Sequence, residues 1–202
     1  MFPARIFLIG LPGGGKSTVG RLVAQRLGWE FADSDDEIER VARRSIPELF
    51  AKEGEARFRE REAEALRALA AREPIVVATG GGAPPTPESR VALGNGFVVW
   101  LAFSPAEAAR RLAGNPLNSE RPLLAGDARA RLEALLQARL DLYRGADAAI
   151  DVDELDPEQV AEEVVALWEE WRRDPLPPGE RFYGSQRAAP RPAPGHLPDP
   201  AA

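Results

Sequence analysis

The chain has no cysteine and a single histidine, His196. The first absence excludes disulfides, thiolate metal sites and cysteine nucleophiles together. The second leaves the body of the chain without histidine acid–base chemistry and argues against structural zinc. Aromatic residues make up only 7 % of the sequence, and no apolar run is long enough to cross a bilayer. No basic stripe interleaved with aromatics is found either, so neither nucleic acid nor a membrane is an expected partner. The formal net charge is −6. Any anionic ligand must therefore be held by local positive groups.

What is present is ordinary globular material. Of 202 residues, 44 % are hydrophobic, enough for one domain with or without an appendage. Short apolar runs recur at residues 6–9, 75–78, 97–101 and 149–152, with a weaker one at 30–32, and helical patterns separate them. This alternation predicts an α/β fold, a five-stranded parallel sheet with helices on both faces. Helix starts are marked by Ser45-Ile46-Pro47-Glu48, Ser104-Pro105-Ala106-Glu107 and Asp156-Pro157-Glu158-Gln159, each a capping signal. The stripe Val160, Val164, Leu167, Trp168 and Trp171 reads as core. Residues 174–202 hold eight of the 19 prolines with little periodicity, so a disordered tail is expected after a domain spanning 1–173. The first strand begins close to Met1, so no signal peptide is expected and a cytoplasmic enzyme is the default.

The strongest motif is Gly10-Leu11-Pro12-Gly13-Gly14-Gly15-Lys16-Ser17, a complete G-x-x-x-x-G-K-[ST] phosphate loop. An apolar run precedes it, and helical spacing of Val19, Leu22, Val23 and Leu27 follows. Glycines allow successive backbone N–H groups to converge on one anion, and the helix N-terminus adds partial positive charge. Lys16 supplies a full charge at the β- and γ-phosphates, and the Ser17 hydroxyl a ligand for Mg²⁺. The motif thus implies a nucleoside triphosphate and leaves the acceptor open.

Further candidates lie after the other strands. Asp33-Ser34-Asp35-Asp36 follows the second, where ligands of open parallel sheets collect. Its carboxylates suit Mg²⁺ binding or acceptance of a hydroxyl proton, and equally the capping of a helix over 37–43, with Asp36 the preferred cap. Gly80-Gly81-Gly82 follows the third strand and allows close backbone approach to a ligand. No aspartate ends that strand, which makes Asp33 the candidate to assist Mg²⁺. The run Arg57-Phe58-Arg59-Glu60-Arg61-Glu62 lies on a charged helix, and spacing alone does not single out any of its arginines. Arg121 is the sole basic residue of the polar segment 114–124, which has the length of a mobile cover for phosphoryl transfer. Arg139 and Tyr143, four apart, share one helical face.

In this order, the phosphate loop, Asp33-x-Asp35, Phe58-Arg59-x-x-Glu62, the three glycines, Arg121-Pro122-Leu123-Leu124 and Arg139-x-x-x-Tyr143 resemble the shikimate kinases over residues 4–170. The resemblance implies a P-loop kinase fold with substrate-binding helices about 35–62 and a lid about 113–126. It implies that ATP and shikimate are the substrates and Mg²⁺ the cofactor of a monomeric enzyme. Gly13, Gly14, Gly15, Lys16, Ser17 and Thr18 would hold the ATP phosphates, Arg111 would flank the adenine, and Arg121 would close onto the phosphates. Ser17 and Asp33 would serve Mg²⁺, the latter from its outer shell. Asp35, Arg59, Gly80, Gly81, Gly82 and Arg139 would hold shikimate, with Asp35 the base, the two arginines clamping the carboxylate and Glu62 orienting Arg59. Lys16, Asp35 and Arg121 would be catalytic. One departure is Asp141, which replaces the proline of the family's R-x-P-x-Y pattern.

Two other readings compete. A related kinase for gluconate or a nucleoside monophosphate shares the loop. However, the latter is expected to read G-K-G-T and to carry more lid arginines, and the former does not predict FRxxE together with RPLL. A non-catalytic nucleotide-binding module is expected to have lost one of Lys16, Asp33, Asp35, Arg59 or Arg139, and all are present.

Overall fold

The computed structural model describes residues 3–80, 86–113 and 128–173. Five strands, β1 (Arg5–Ile9), β2 (Glu30–Asp33), β3 (Ile75–Ala78), β4 (Phe97–Ala102) and β5 (Ala148–Asp151), form one parallel sheet in the order β2-β3-β1-β4-β5. Between and after them come α1 (Lys16–Leu27), α2 (Ser34–Ala42), α3 (Ile46–Ala70), α4 (Pro87–Leu93), α5 (Pro105–Ala113), α6 (Ala128–Arg144) and α7 (Pro157–Trp171). The predicted α/β sheet is present in full, its strands within a residue or two of their expected limits. Each strand-to-strand connection carries a helix, as parallel pairing requires.

The sheet centre explains why the strands read as uninterrupted apolar runs. Ile6, Phe7, Leu8 and Ile9 of β1 and Ile75, Val76, Val77 and Ala78 of β3 are fully buried. A strand covered on both faces has no solvent side to alternate toward, and each large side chain so buried contributes about 1.5–3 kcal/mol. Val160, Val164, Trp168 and Trp171 of α7 join this core as read from the sequence. Trp168 meets Trp29 edge to face at 4.8 Å.

A second, smaller core of Ile38, Leu49, Phe58 and Ala65 packs α2 against α3. Here α3 is not one straight helix. Gly54 adopts φ 76°, ψ 173°, breaking the helical path between residues 46–53 and 55–70. Glu53 spans the break, receiving two hydrogen bonds from Arg61 at 2.8 and 3.1 Å.

The capping signals at Ser45 and Asp156 form reciprocal boxes. At Ser104 the hydroxyl accepts from the Glu107 N–H at 3.2 Å, while the Ser104 N–H donates to Asp153. No helix among the described residues is long and apolar enough to cross a membrane. The tail, residues 174–202, lies outside the described residues.

Candidate active site

Register brings the candidate residues level. Leu8 of β1 pairs with Ala78 of β3, and Ala78 with Asp33 of β2. Gly10, Gly80 and Asp35, each two residues further on, therefore leave the same edge of the sheet. This is where strand order reverses around β1, the crevice in which open α/β sheets bind ligands.

The phosphate loop leaves β1 and ends at Gly15, the N-cap of α1, with φ 75° and ψ 11°. That left-handed conformation is one a side chain would resist. Gly15 supplies no side-chain cap, and the first turn of α1 holds no acidic residue. The positive end of the helix dipole is thus not offset by an acidic side chain of its own first turn, and favours an anion there. The Lys16 ammonium, 7 % exposed, turns back over the loop and donates to the carbonyls of Gly10 and Leu11 at 2.9 and 2.8 Å. Phe103, just beyond β4, packs so closely on Gly14 that a Cβ there would enter its ring. Thr18, the next candidate, is exposed at the start of α1.

Ser17 Oγ donates to Asp33 Oδ2 at 2.5 Å. The other oxygen of Asp33 accepts the Asp35 N–H at 3.0 Å, so Asp33 is the N-cap of α2. The expectation that Asp36 caps this helix is corrected, because α2 starts three residues earlier than its apolar pattern suggested. Asp36 lies inside the first turn. Its carboxyl is raised above the usual range by partial burial and by the Asp33 charge, with Arg21 opposing. A hydroxyl and a carboxylate are hard oxygen donors of the kind Mg²⁺ accepts. Mg²⁺ usually takes one or two carboxylates, substrate phosphates and water rather than a protein cage. Among the described residues no larger acidic or histidine cluster is placed to hold a metal, and the Ser17–Asp33 pair beside the phosphate loop fits the ion.

Ser34, between the two aspartates, is 6 % exposed and accepts the Gly80 N–H at 2.6 Å. This bond ties the start of α2 to the exit of β3. It also sets the Asp35 carboxylate against the Gly80 Cα, where a Cβ would collide with it. Thr79, at the strand end that carries no aspartate, spends its hydroxyl on the Leu8 carbonyl at 3.0 Å.

The arginines of α3 separate by what they face. Arg57 pairs with Glu60 and Glu64 on the exposed side, and Arg61 with Glu53. Arg59 is the one paired with a buried carboxylate: its Nη1 donates to Glu62 Oε2 at 2.6 Å, and its Nη2 to the exposed Glu55 at 3.0 Å. Glu62 is buried, and its carboxyl is pushed up to about 7. Burial is the main cause and the Asp35 charge adds to it, while Arg59 and Arg139 pull the other way. Asp35 of α2, Arg59 and Glu62 of α3 and Arg139 of α6 thus form one electrostatic cluster. Phe58 beside Arg59 meets Phe50 at 4.4 Å between ring centres. Arg59 also borders an open cleft of about 350 Å³ shared with Ala63, Arg67 and Thr86.

Arg139 is 4 % exposed. Its charge and hydrogen bonding act on the hydroxyl of Tyr143 against the upward push of burial, and the Tyr143 ring stacks on Trp100 of β4 at 5.4 Å. Helix α6 is continuous through Asp141. Gly81, Gly82 and Arg121 lie outside the described residues, as does nearly all of the expected lid. Arg111 falls in α5, with its side chain not described. Sequence reasoning missed Ser34, Phe103 and the stacking of Tyr143. A small polar residue between two candidate ligands was the available signal for the first.

The family model for shikimate kinase matches residues 12–169. The shikimate kinase of Synechococcus sp. strain CC9902 is 41 % identical over 177 residues, 87 % of this chain and 92 % of its own length. The solved shikimate kinase from Acinetobacter baumannii, in complex with shikimate, superposes with a TM-score of 0.77 at 39 % identity, covering 84 % of this chain and 94 % of that one. A gluconokinase from Sinorhizobium meliloti 1021 also superposes, with a TM-score of 0.59, 85 % of this chain and 95 % of that one covered, but at 21 % identity it shares the fold alone. With its five-stranded parallel sheet, its phosphate loop and most of its length matched, the chain belongs to the shikimate kinase family.

Proposed function

We propose that the protein transfers the γ-phosphoryl group of ATP to the 3-hydroxyl of shikimate, giving shikimate 3-phosphate and ADP on the route to chorismate and the aromatic amino acids. The observation that carries this reading is the gathering of Asp35, Arg59, Glu62 and Arg139 beside the phosphate loop, in a chain of this family. A donor site for a triphosphate and an acceptor site for a hydroxylated carboxylate then share one sheet edge.

The roles follow from chemistry. Gly13, Gly14, Gly15 and Thr18 hold the phosphates at the start of α1, and Lys16 exchanges loop carbonyls for phosphate oxygens. Ser17 would hold Mg²⁺, with Asp33 in its outer shell, and the ion would neutralise charge on the phosphates. Arg59 and Arg139 grip the shikimate carboxylate, since guanidinium matches carboxylate with two parallel hydrogen bonds. Glu62 holds Arg59 in place, and the backbone of Gly80 gives the acceptor room. Asp35 orients the attacking hydroxyl and takes its proton as the new oxygen–phosphorus bond forms and the bond to the β-phosphate breaks. Catalysis is then mainly positioning and charge stabilisation. The family pattern adds Gly81 and Gly82 to the acceptor site, Arg111 to the adenine and Arg121 to the transferring phosphate. The reading extends to a monomer acting in the cytoplasm.

The test is ADP release by purified protein with Mg-ATP and shikimate, gluconate, AMP or no acceptor. Turnover with shikimate alone is the expected result. Turnover independent of it, or only with another acceptor, overturns the reading.

A further inference from the structure

The buried polar contact between Arg139 and Tyr143 has no assigned role in the transfer. We infer that Tyr143 is the positioning residue of the acceptor clamp: its phenol, fixed against Trp100, sets the guanidinium of Arg139 in the orientation that receives the substrate carboxylate. The inference rests on the proposed function for the nature of that carboxylate.

Three observations carry it. Tyr143 stands one helical turn after Arg139 on α6, so the two side chains share a face. Its ring is 1 % exposed and lies nearly parallel to Trp100, at 20° and 5.4 Å, so packing on the sheet determines where the hydroxyl sits. Arg139, one helical turn earlier, acts on this hydroxyl through charge and hydrogen bonding, opposing the upward push of burial on the phenol, and a buried phenol requires such a polar partner. At the other end, the charge of Arg139 is felt by Glu62, itself bonded to Arg59.

A neutral partner suits this task. A carboxylate at position 143 would fix Arg139 equally well but would cancel the charge the substrate needs. Burial pushes the ionisation of the Tyr143 phenol upward, which keeps it uncharged while it orients the cation.

The direct experiment is steady-state kinetics of Tyr143→Phe, which keeps the ring and its stacking. KM for shikimate is expected to rise about tenfold, the weight of one hydrogen bond to a charged group. The kcat and KM for ATP should stay close to those of the unaltered protein, while Tm falls modestly because the buried Arg139 loses a partner. In an Arg139→Ala background, Tyr143→Phe should have no further effect on KM for shikimate. An unchanged KM for shikimate, a parallel loss toward both substrates, or full additivity with Arg139→Ala would each overturn the inference.

A second measurement does not need turnover or the phenylalanine variant to fold. The chain has two tyrosines, Tyr143 and Tyr183. Fluorotyrosine labelling of Tyr183→Phe therefore leaves one ¹⁹F signal. That signal should shift on Arg139→Lys, and again on adding shikimate to the Arg139 protein without ATP. A signal indifferent to Arg139→Lys overturns the positioning role. A signal sensitive to Arg139→Lys but indifferent to shikimate, in a protein without shikimate-dependent turnover, overturns the functional reading and the role in the clamp, while the pair itself stands.

Discussion

Arg59 Nη1 and Glu62 Oε2 lie 2.6 Å apart, one turn apart on α3, with the Glu62 side chain 7 % exposed and that of Arg59 22 % exposed. The pair is therefore asymmetric. Glu62 is the more deeply buried partner, while Arg59 is part-exposed and borders the cleft it shares with Glu60, Glu64, Arg67 and Glu88.

That asymmetry makes stability depend on pH. With the Glu62 carboxyl at about 7 in the folded protein against an ordinary 4.5, the folded state binds the proton that the unfolded chain has released between these values. Stability contributed by this group is full below pH 4.5 and falls as pH rises toward 7, by on the order of 3 kcal/mol. Urea unfolding across pH 4.5–8 should show this decline in the unaltered protein and lack it in Glu62→Gln. Parallel profiles for the two proteins would contradict the assignment to Glu62.

Asp33 makes two contacts that substitution can separate, one to the Asp35 N–H and one to the Ser17 hydroxyl. Asparagine keeps an oxygen for the Asp35 N–H and should preserve the cap, whereas alanine should cost about 1 kcal/mol of stability. Both remove the carboxylate beside Ser17. Asp33→Asn is thus expected to leave Tm nearly unchanged and to raise the Mg²⁺ concentration needed for half-maximal activity. An Asn variant with normal Mg²⁺ dependence would remove Asp33 from the metal site.

At Gly80 the expected effect is steric. A methyl group there meets the Asp35 carboxylate, and a displacement of about 1 Å in a reacting group can cost on the order of 10²-fold in rate. Gly80→Ala should lower kcat/KM for shikimate by about that factor while leaving ADP binding, measured by calorimetry, nearly intact. Equal damage to nucleotide affinity would mean that the substitution disturbs the phosphate loop as well.

Lys16→Ala should reduce kcat by about 10²- to 10³-fold, the loss typical of one electrostatic contact made to developing charge. The two carbonyls that Lys16 now contacts belong to its own loop. A change in Tm should be recorded beside the rate, since only a rate loss that exceeds the stability loss supports a role in the transfer.

Much of this was readable in the sequence because the local signals and the tertiary structure agree. The strands at 5–9 and 75–78 are buried on both faces, so they appear as apolar runs with glycines after them. The cap of α2 was misplaced because Asp33, Asp35 and Asp36 are chemically equivalent neighbours. The choice among them depends on where α2 begins, and a bond from Gly80, 46 residues away, accompanies that start at Ser34. Arg59 could not be separated from Arg57 and Arg61, since all three sit among glutamates at helical spacing. What distinguishes it is the burial of Glu62 and the approach of α2 and α6, which no window of sequence contains. Tyr143 was seen to share a face with Arg139, but its stacking depends on Trp100 in a different element.

The level exit of β1, β2 and β3 sets how such a site can diversify. The phosphate loop, the residues assigned to Mg²⁺ and the one assigned to the attacking hydroxyl follow three adjacent strands whose registers are locked by the buried centre of the sheet, so drift there is penalised through the whole sheet. The groups assigned to the acceptor's carboxylate hang from α3 and α6, which meet the sheet through side chains alone. A lineage adopting a different alcohol would rewrite those two helical faces and leave the strand ends as inherited.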